Sequence, residues 1–92
     1  MWEQELPSAP NGPLYTGLIR YDAGVDTSPI GARVHDYWEH VYIVSGELTD
    51  LGLNQTFTAG TYACRPPGQV HGPWRTNTGV LMLEIRFPAK AP

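Results

Sequence analysis

Arg33-Val34-His35-Asp36-Tyr37-Trp38-Glu39 is the segment that indicates the fold most clearly. Gly46 follows it after six further residues. A second stretch begins at Gly60 and continues after five residues as Pro66-Pro67-Gly68-Gln69-Val70-His71. Two imidazoles and one carboxylate are the ligands of the facial triad that binds Fe(II) and leaves coordination positions open. The two stretches therefore predict one metal site formed by His35, Glu39 and His71.

Length and composition indicate a small protein rich in turns. The 92 residues give room for one domain, near the lower limit for a chain that forms its own core. Ten glycines and nine prolines signal many turns and leave little room for helix. Short strands joined by such turns are typical of a sandwich or a barrel.

Charge, hydropathy and cysteine content disfavour several kinds of partner and location. The net charge of −3 gives no basic surface for nucleic acid or for an anionic membrane. The longest apolar runs, such as 41–44 and 80–83, are far too short to span a bilayer, and no secretory signal is visible. The single cysteine, Cys64, cannot form an internal disulfide, so we expect a cytoplasmic location.

Turn signals divide the chain into strand-length segments. We expect residues 1–13, which contain three prolines, to form an extended N-terminal arm, and residues 14–92 to form the barrel. Residues 41–44 are apolar on both faces, as expected where one face fills a barrel and the other meets a second sheet or subunit. The predicted strands are 14–21, 30–35, 39–45, 48–53, 56–57, 61–65 and 80–87.

Strand geometry determines which side chains can meet at the metal site. Alternate residues of a strand share a face, so Arg33 and His35 point the same way, whereas His40 points away from Glu39. Taken alone, a histidine and a glutamate at this separation are more often a hydrogen-bonded pair near a rim. The Pro-Pro-Gly turn of the second stretch favours the ligand interpretation, because it directs His71 back into the sheet at a defined place.

The two stretches resemble the motifs of the cupins, small barrel proteins whose metal ligands are histidines and a glutamate. The resemblance covers residues 30–87 and is closest to the ChrR-like cupins, which include a zinc-binding domain of an anti-sigma factor and the 2,4′-dihydroxyacetophenone dioxygenases. It implies an all-β, single-domain jelly-roll barrel (a double-stranded β-helix) of about eight to ten short antiparallel strands. It also implies a divalent transition metal, Fe²⁺, Mn²⁺, Ni²⁺ or Zn²⁺. The residues at motif positions are His35, Glu39, Gly46, Gly60, Pro66, Gly68 and His71.

The sequence departs from the cupin pattern at Arg33, which stands in place of the first motif histidine. Arginine stays protonated and cannot ligate a cation. The site could therefore use three ligands, with Arg33 binding an anionic or carbonyl substrate through its forked donors. Two alternatives remain: the metal could be lost and Arg33 paired with Glu39 in a binding pocket, or His40 could replace the missing ligand, which strand alternation disfavours.

Other chemically useful side chains have structural interpretations beside the functional ones. Cys64 is expected to be a packed thiol, since nothing in the sequence indicates an activating base. Glu84 and Arg86 are expected to form a solvated or interface pair, although an inward Glu84 would be an acid in the pocket. Four aromatic residues either stack on a ligand or fill the ends of the barrel, and we favour the second interpretation: Tyr37, Trp38, Tyr62 and Trp74.

With these residues, the resemblance to the cupins implies a metal-dependent, dioxygenase-like enzyme that acts on a small oxygenated organic substrate. Arg33 would bind a carboxylate or stabilise developing negative charge. The alternative is a non-catalytic module that binds a small ligand or a metal. We also expect a homodimer, because a barrel this small buries only about 60% of its surface alone and because the arm and residues 41–44 offer surfaces to a second subunit.

Overall fold

The computed structural model describes residues 2–6 and 15–88, and this part of the chain contains nine strands and no helix. The prediction of an all-β fold is confirmed. No helix capable of crossing a membrane is found within these residues. The strands are β1 (Trp2–Glu5), β2 (Tyr15–Tyr21), β3 (Arg33–Val34), β4 (Tyr37–Asp50), β5 (Gln55–Thr58), β6 (Tyr62–Arg65), β7 (Val70–His71), β8 (Trp74–Arg75) and β9 (Val80–Pro88).

The long strand β4 organises the barrel, because it pairs with four other strands. Its first half lies between β9 and β6, so that β1, β2, β9, β4 and β6 lie side by side in that order. Its second half pairs with β5 and with β8. β3 and β7 form a separate two-stranded sheet. All of these pairs are antiparallel.

β4 bends between its two groups of partners. Its register with β9 shifts between Ile43 and Ser45, and Gly46 follows with a φ of 83°. A Cβ at Gly46 would overlap the carbonyl oxygen of Gly79 on the neighbouring strand connection. Both the backbone conformation and the available space therefore require glycine at this motif position.

Strand alternation divides the side chains of β4 between the interior and the outside of the barrel. Glu39, Val41 and Ile43 are buried, whereas Tyr42 and Val44 are 44% and 45% exposed. Because Glu39 precedes the apolar residues along β4, it lies at the end of the core nearest the start of that strand. The buried apolar core consists of Val41, Ile43, Leu48, Trp74, Val80 and Met82.

The structure corrects several predicted strand bounds. The predicted strands 39–45 and 48–53 are one strand, because the backbone bends at Gly46 without leaving the sheet, and residues 51–54 form a turn. Of the predicted strand 30–35, only Arg33–Val34 pairs. Within the predicted arm, Trp2–Glu5 is extended and pairs with β2 of the same chain. Residues 1 and 7–13 of the arm, and 14 and 89–92 of the predicted barrel, lie outside the described residues.

Candidate metal centre

The three predicted ligands come from separate strands and meet in the barrel interior. His35 directly follows β3, Glu39 lies on β4 and His71 ends β7. One possible ligand atom from each residue lies within 4.8 Å of the other two. Glu39 and His71 are buried, and His35 is half-buried. The structure thus brings together the residues that the sequence predicts as ligands, while metal binding itself stays a prediction.

The turn of the second motif is attached to the first motif by a backbone hydrogen bond. The Gly68 N–H donates to the carbonyl oxygen of His35 at 2.8 Å, and the φ of 83° at Gly68 favours glycine there. β7 then pairs with β3, which places His71 opposite Arg33. The turn therefore holds His71 beside His35, with the two ring centroids 4.9 Å apart.

Arg65 holds the Glu39 carboxylate from the adjacent strand. Its Nη1 donates to Oε1 of Glu39 at 3.0 Å, and the two residues are register partners on β6 and β4. The other carboxylate oxygen, Oε2, lies 3.8 Å from Nε2 of His35. Arg65 thus neutralises one carboxylate oxygen of Glu39, while the other oxygen faces His35. Residues beside metal ligands commonly orient the ligand in this way. Sequence reasoning missed this role, because it depends on the register between β4 and β6.

The protonation states of the two histidines suit metal coordination. Burial, followed by the nearby cation of Arg65, lowers the pKa of His71 to about 4. Burial and then Arg33 also lower the pKa of His35. Both imidazoles are therefore neutral at pH 7 and keep a lone pair for an ion. Nδ1 of His71 is buried without a hydrogen-bond partner among the described residues, as occurs where an ion or water completes a site. This donor set fits a divalent transition metal.

A second acid–base pair lines the same interior. Glu84 on β9 is 5% exposed, and Nε of Arg86 donates to its Oε1 at 2.7 Å. Burial, together with a hydrogen bond to Glu39, raises the pKa of Glu84 to about 7. Arg86 in turn lies 4.1 Å above the ring of Tyr15 and 5.3 Å from that of Tyr37. The expectation of a solvated or interface pair was therefore wrong, because the register with β4 turns both side chains inward.

Arg33 and His40 occupy opposite sides of the barrel wall. Arg33 on β3 is solvent-exposed and also lines the interior cavity. The carboxylate of Glu39 pairs with Arg65 and not with Arg33. His40 points away from the site, as strand alternation predicts, and its Nδ1 is hydrogen-bonded to the Tyr62 hydroxyl. The structure therefore does not support His40 as a substitute ligand or an Arg33–Glu39 pair.

The four aromatic residues divide equally between the cavity and the outer surface. Tyr37 stacks on His35 with centroids 4.6 Å apart, and Trp74 packs beside His71 at 5.1 Å; both line the cavity. Trp38 and Tyr62 instead face outward and are 38% and 57% exposed, so neither fills the barrel.

Cys64 also lies on the outer surface. The expectation of a packed thiol was wrong, because the thiol is exposed. Its sulfur lies 3.9 Å from Nε2 of His40 on the neighbouring strand.

Comparison with solved structures shows which known proteins share this fold. No family model matches the sequence, and no curated protein matches it either. An RmlC-like cupin from Shewanella frigidimarina superposes with a TM-score of 0.75 at 27% identity, covering 96% of this chain and 76% of that one. An acetylacetone dioxygenase from Acinetobacter johnsonii gives 0.74 at 18% identity, covering 92% and 58%. A predicted oxalate decarboxylase from Thermotoga maritima gives 0.74 at 21% identity, covering 94% and 78%.

The fold assigns the chain to the cupin superfamily. The predicted membership of the cupin superfamily is confirmed, whereas the ChrR-like subgroup stays a prediction. The chain spans 58% of the acetylacetone dioxygenase to which it is similar. At these sequence identities the structural similarity shows the fold of this chain and does not show a reaction.

Proposed function

We propose that this cupin is a metal-dependent, dioxygenase-like enzyme that acts on a small oxygenated organic substrate. The observation that carries the proposal is the convergence of His35, Glu39 and His71 within 4.8 Å on the wall of a cavity of about 570 Å³. A cavity of that volume suits a small molecule. A bound Fe²⁺, Mn²⁺, Ni²⁺ or Zn²⁺ would supply Lewis acidity or, in the case of iron, reactivity with dioxygen.

The charges in the cavity favour an anionic or enolisable substrate. Three arginines line the cavity. Arg65 is paired with Glu39, and Arg86 is paired with Glu84. Among the described residues, the ion pairs leave Arg33 without a carboxylate. Because its guanidinium offers forked donors, Arg33 is suited to bind a substrate carboxylate or the oxygen on which negative charge develops.

The aromatic walls restrict the shape of the substrate. Tyr37 covers one face of His35 at an interplanar angle of 16°, and Trp74 closes the side next to His71. Ile30 also lines the cavity and is 55% exposed, which makes it part of the rim. A flat diketone, hydroxyketone or hydroxy acid could lie between these walls with its oxygens towards the histidines.

A second candidate function is a non-catalytic module that binds a small ligand or a metal. One observation favours it: Arg33 occupies the position of a ligand in the cupin pattern, so only three protein donors remain. The two candidates predict the same binding and differ in turnover.

We also propose a homodimer in the cytoplasm. The dimer rests on the exposed side chains of β4, and the location rests on the single cysteine in the whole sequence. Small organic molecules, and neither nucleic acid nor membrane, are the partners that the net charge of −3 favours.

Turnover by metal-loaded protein tests the function directly. Diketones, hydroxyketones and hydroxy acids would be offered to the wild type, to Arg33→Ala and to Arg75→Ala, an exposed arginine outside the cavity. We expect Arg33→Ala to lower kcat/KM at least about 100-fold, as loss of a charged contact of ~3 kcal/mol does, and Arg75→Ala to match the wild type. Tight binding without turnover of any of these substrates would contradict the enzyme and leave the binding module.

A further inference from the structure

The cavity beside the candidate ligands has two chemically different ends. The end next to His35 and His71 carries most of the charged side chains. The other end, which we call the inner end, reaches into the apolar core, because four of its six lining residues belong to that core. The lining residues of the inner end are Ile19, Tyr21, Val41, Leu48, Trp74 and Met82.

The register of β4 and β9 shows how the chemistry changes along the barrel. The inward residues of β9 change from Arg86 and Glu84 to Met82, and those of β4 change from Glu39 to Val41. Arg86 lies opposite Glu39, and Glu84 lies opposite Val41. Because a strand rises about 3.3 Å per residue, the level of Met82 lies about 13 Å from that of Arg86. The cavity therefore passes from a charged end to an apolar end.

We propose that the substrate carries an apolar substituent, a short alkyl chain or a single aryl group, which occupies the inner end. Its oxygens would face the histidines, and this orientation rests on the proposed function. The cavity of about 570 Å³ lies within the range of roughly 300 to 1,000 Å³ that accommodates drug-sized ligands. An acid of two or three carbons would leave much of it to water. Displacing water from apolar walls with CH₂ groups is favourable, because these walls offer water few hydrogen bonds.

Val41 is the residue best placed to determine this specificity. It is the next inward residue of β4 after Glu39 and is only 7% exposed. A substituent that passes from the charged end to the inner end must therefore contact it. Glu3 also lines the cavity, but it is exposed and accepts a hydrogen bond from the Tyr15 hydroxyl. Its charge is therefore solvated and partnered, and it does not oppose an apolar substituent beside Val41.

A series of straight-chain 2-hydroxy acids tests the inner end. Calorimetry would measure the Kd of glycolate, 2-hydroxybutanoate and 2-hydroxyhexanoate with Zn²⁺-loaded protein, since zinc has no redox chemistry. We expect the affinity to rise about fourfold for each added CH₂, which corresponds to ~0.8 kcal/mol. The heat-capacity change of binding should become more negative along the same series, because more apolar surface is buried.

Val41→Thr and Val44→Thr are matched variants on one strand. Val41 lines the cavity, whereas Val44 is 45% exposed on the outer surface. The change keeps the shape of the side chain and replaces one methyl group with a hydroxyl, which an apolar ligand would desolvate. Val41→Thr should therefore weaken binding of 2-hydroxyhexanoate at least about fivefold and leave glycolate unchanged. Val44→Thr should match the wild type with both acids, and Met82→Gln should show the same selective loss as Val41→Thr.

This proposal and the proposed function fail in different ways. Metal-free protein should bind each acid more weakly but keep the same rise with chain length, because none of the six residues of the inner end is a candidate ligand. Absence of turnover with an intact length dependence would contradict the enzyme and support the inner end. An affinity that does not rise with chain length, equal affinities of Val41→Thr and Val44→Thr for 2-hydroxyhexanoate, or no binding of any of the acids would each overturn the apolar substituent.

Discussion

Replacing Arg65 with methionine should destabilise the protein strongly, because Arg65 is the cation that accompanies the buried Glu39. The side chains of Glu39 and Arg65 are only 7% and 14% exposed, and they are joined at 3.0 Å. Methionine preserves much of the apolar stem but leaves the Glu39 carboxylate without its counter-charge. Breaking a buried ion pair from one side costs about 3 to 5 kcal/mol, since the remaining charge is neither solvated nor paired.

A second ion pair of the chain provides the control. Arg20 and Asp22 are 3.7 Å apart, with side chains 56% and 72% exposed. Exposed pairs contribute at most about 1 kcal/mol, so Asp22→Asn should barely change the free energy of unfolding. Arg65→Lys, which keeps the charge but loses the guanidinium fork, should fall between the two.

Urea unfolding of metal-free protein at one fixed concentration measures all three variants. If Arg65→Met lowers the free energy of unfolding by no more than Asp22→Asn does, the ion pair does not contribute as argued. Metal affinity gives an independent readout, because removing a partner that orients a ligand typically costs about 10- to 100-fold. Arg65→Met should show that loss where it still folds.

Two further predictions concern pH and the bend of β4. Folding raises the pKa of Glu84 from 4.5 to about 7, so the folded state loses stability as the pH rises between these two values. That loss is worth about 3 kcal/mol. Glu84→Gln should remove it, as measured by urea titrations at the two ends of this pH range. The pKa of His71 is lowered from 6.5 to about 4, which changes stability with pH in the opposite direction. Glu84→Gln should therefore still lose stability as the pH falls from 6.5 to about 4. Gly46→Ala should lower thermal stability far more than Gly60→Ala. Both glycines have a positive φ, but only a Cβ at position 46 would collide with the backbone, that of Gly79. Gly60→Ala should cost about 1 to 2 kcal/mol, and equal losses from the two variants would contradict the steric argument.

The sequence predicted that His35, Glu39 and His71 would meet, because motif spacing places turns and turns determine where a histidine re-enters the sheet. It did not predict the role of Arg65, which depends on the register between β4 and β6. It also left open whether Glu84 points inward, and the favoured expectation of a solvated or interface pair with Arg86 was wrong. That choice depends on pairing with β4 across the barrel, which alternation within one strand does not contain.

The exposed thiol of Cys64 and the continuity of β4 were missed for related reasons. Cys64 shares a face of β6 with Tyr62, and the burial of that face depends on what covers it. Gly46 was interpreted as the end of a strand, since glycine is common in turns. In the structure a shifted register lets the strand bend at Gly46 and continue to Asp50.

Elemental analysis decides whether His35, Glu39 and His71 bind a metal. Metal content would be measured after purification without chelator and again after reconstitution. His71→Gln removes a proposed ligand, and His40→Gln removes a histidine on the opposite face of the barrel wall. We expect about one divalent ion per chain in the wild type and in His40→Gln, and little or none in His71→Gln. Wild-type protein that stays substoichiometric after reconstitution, or His71→Gln that retains as much metal as His40→Gln, would contradict the account.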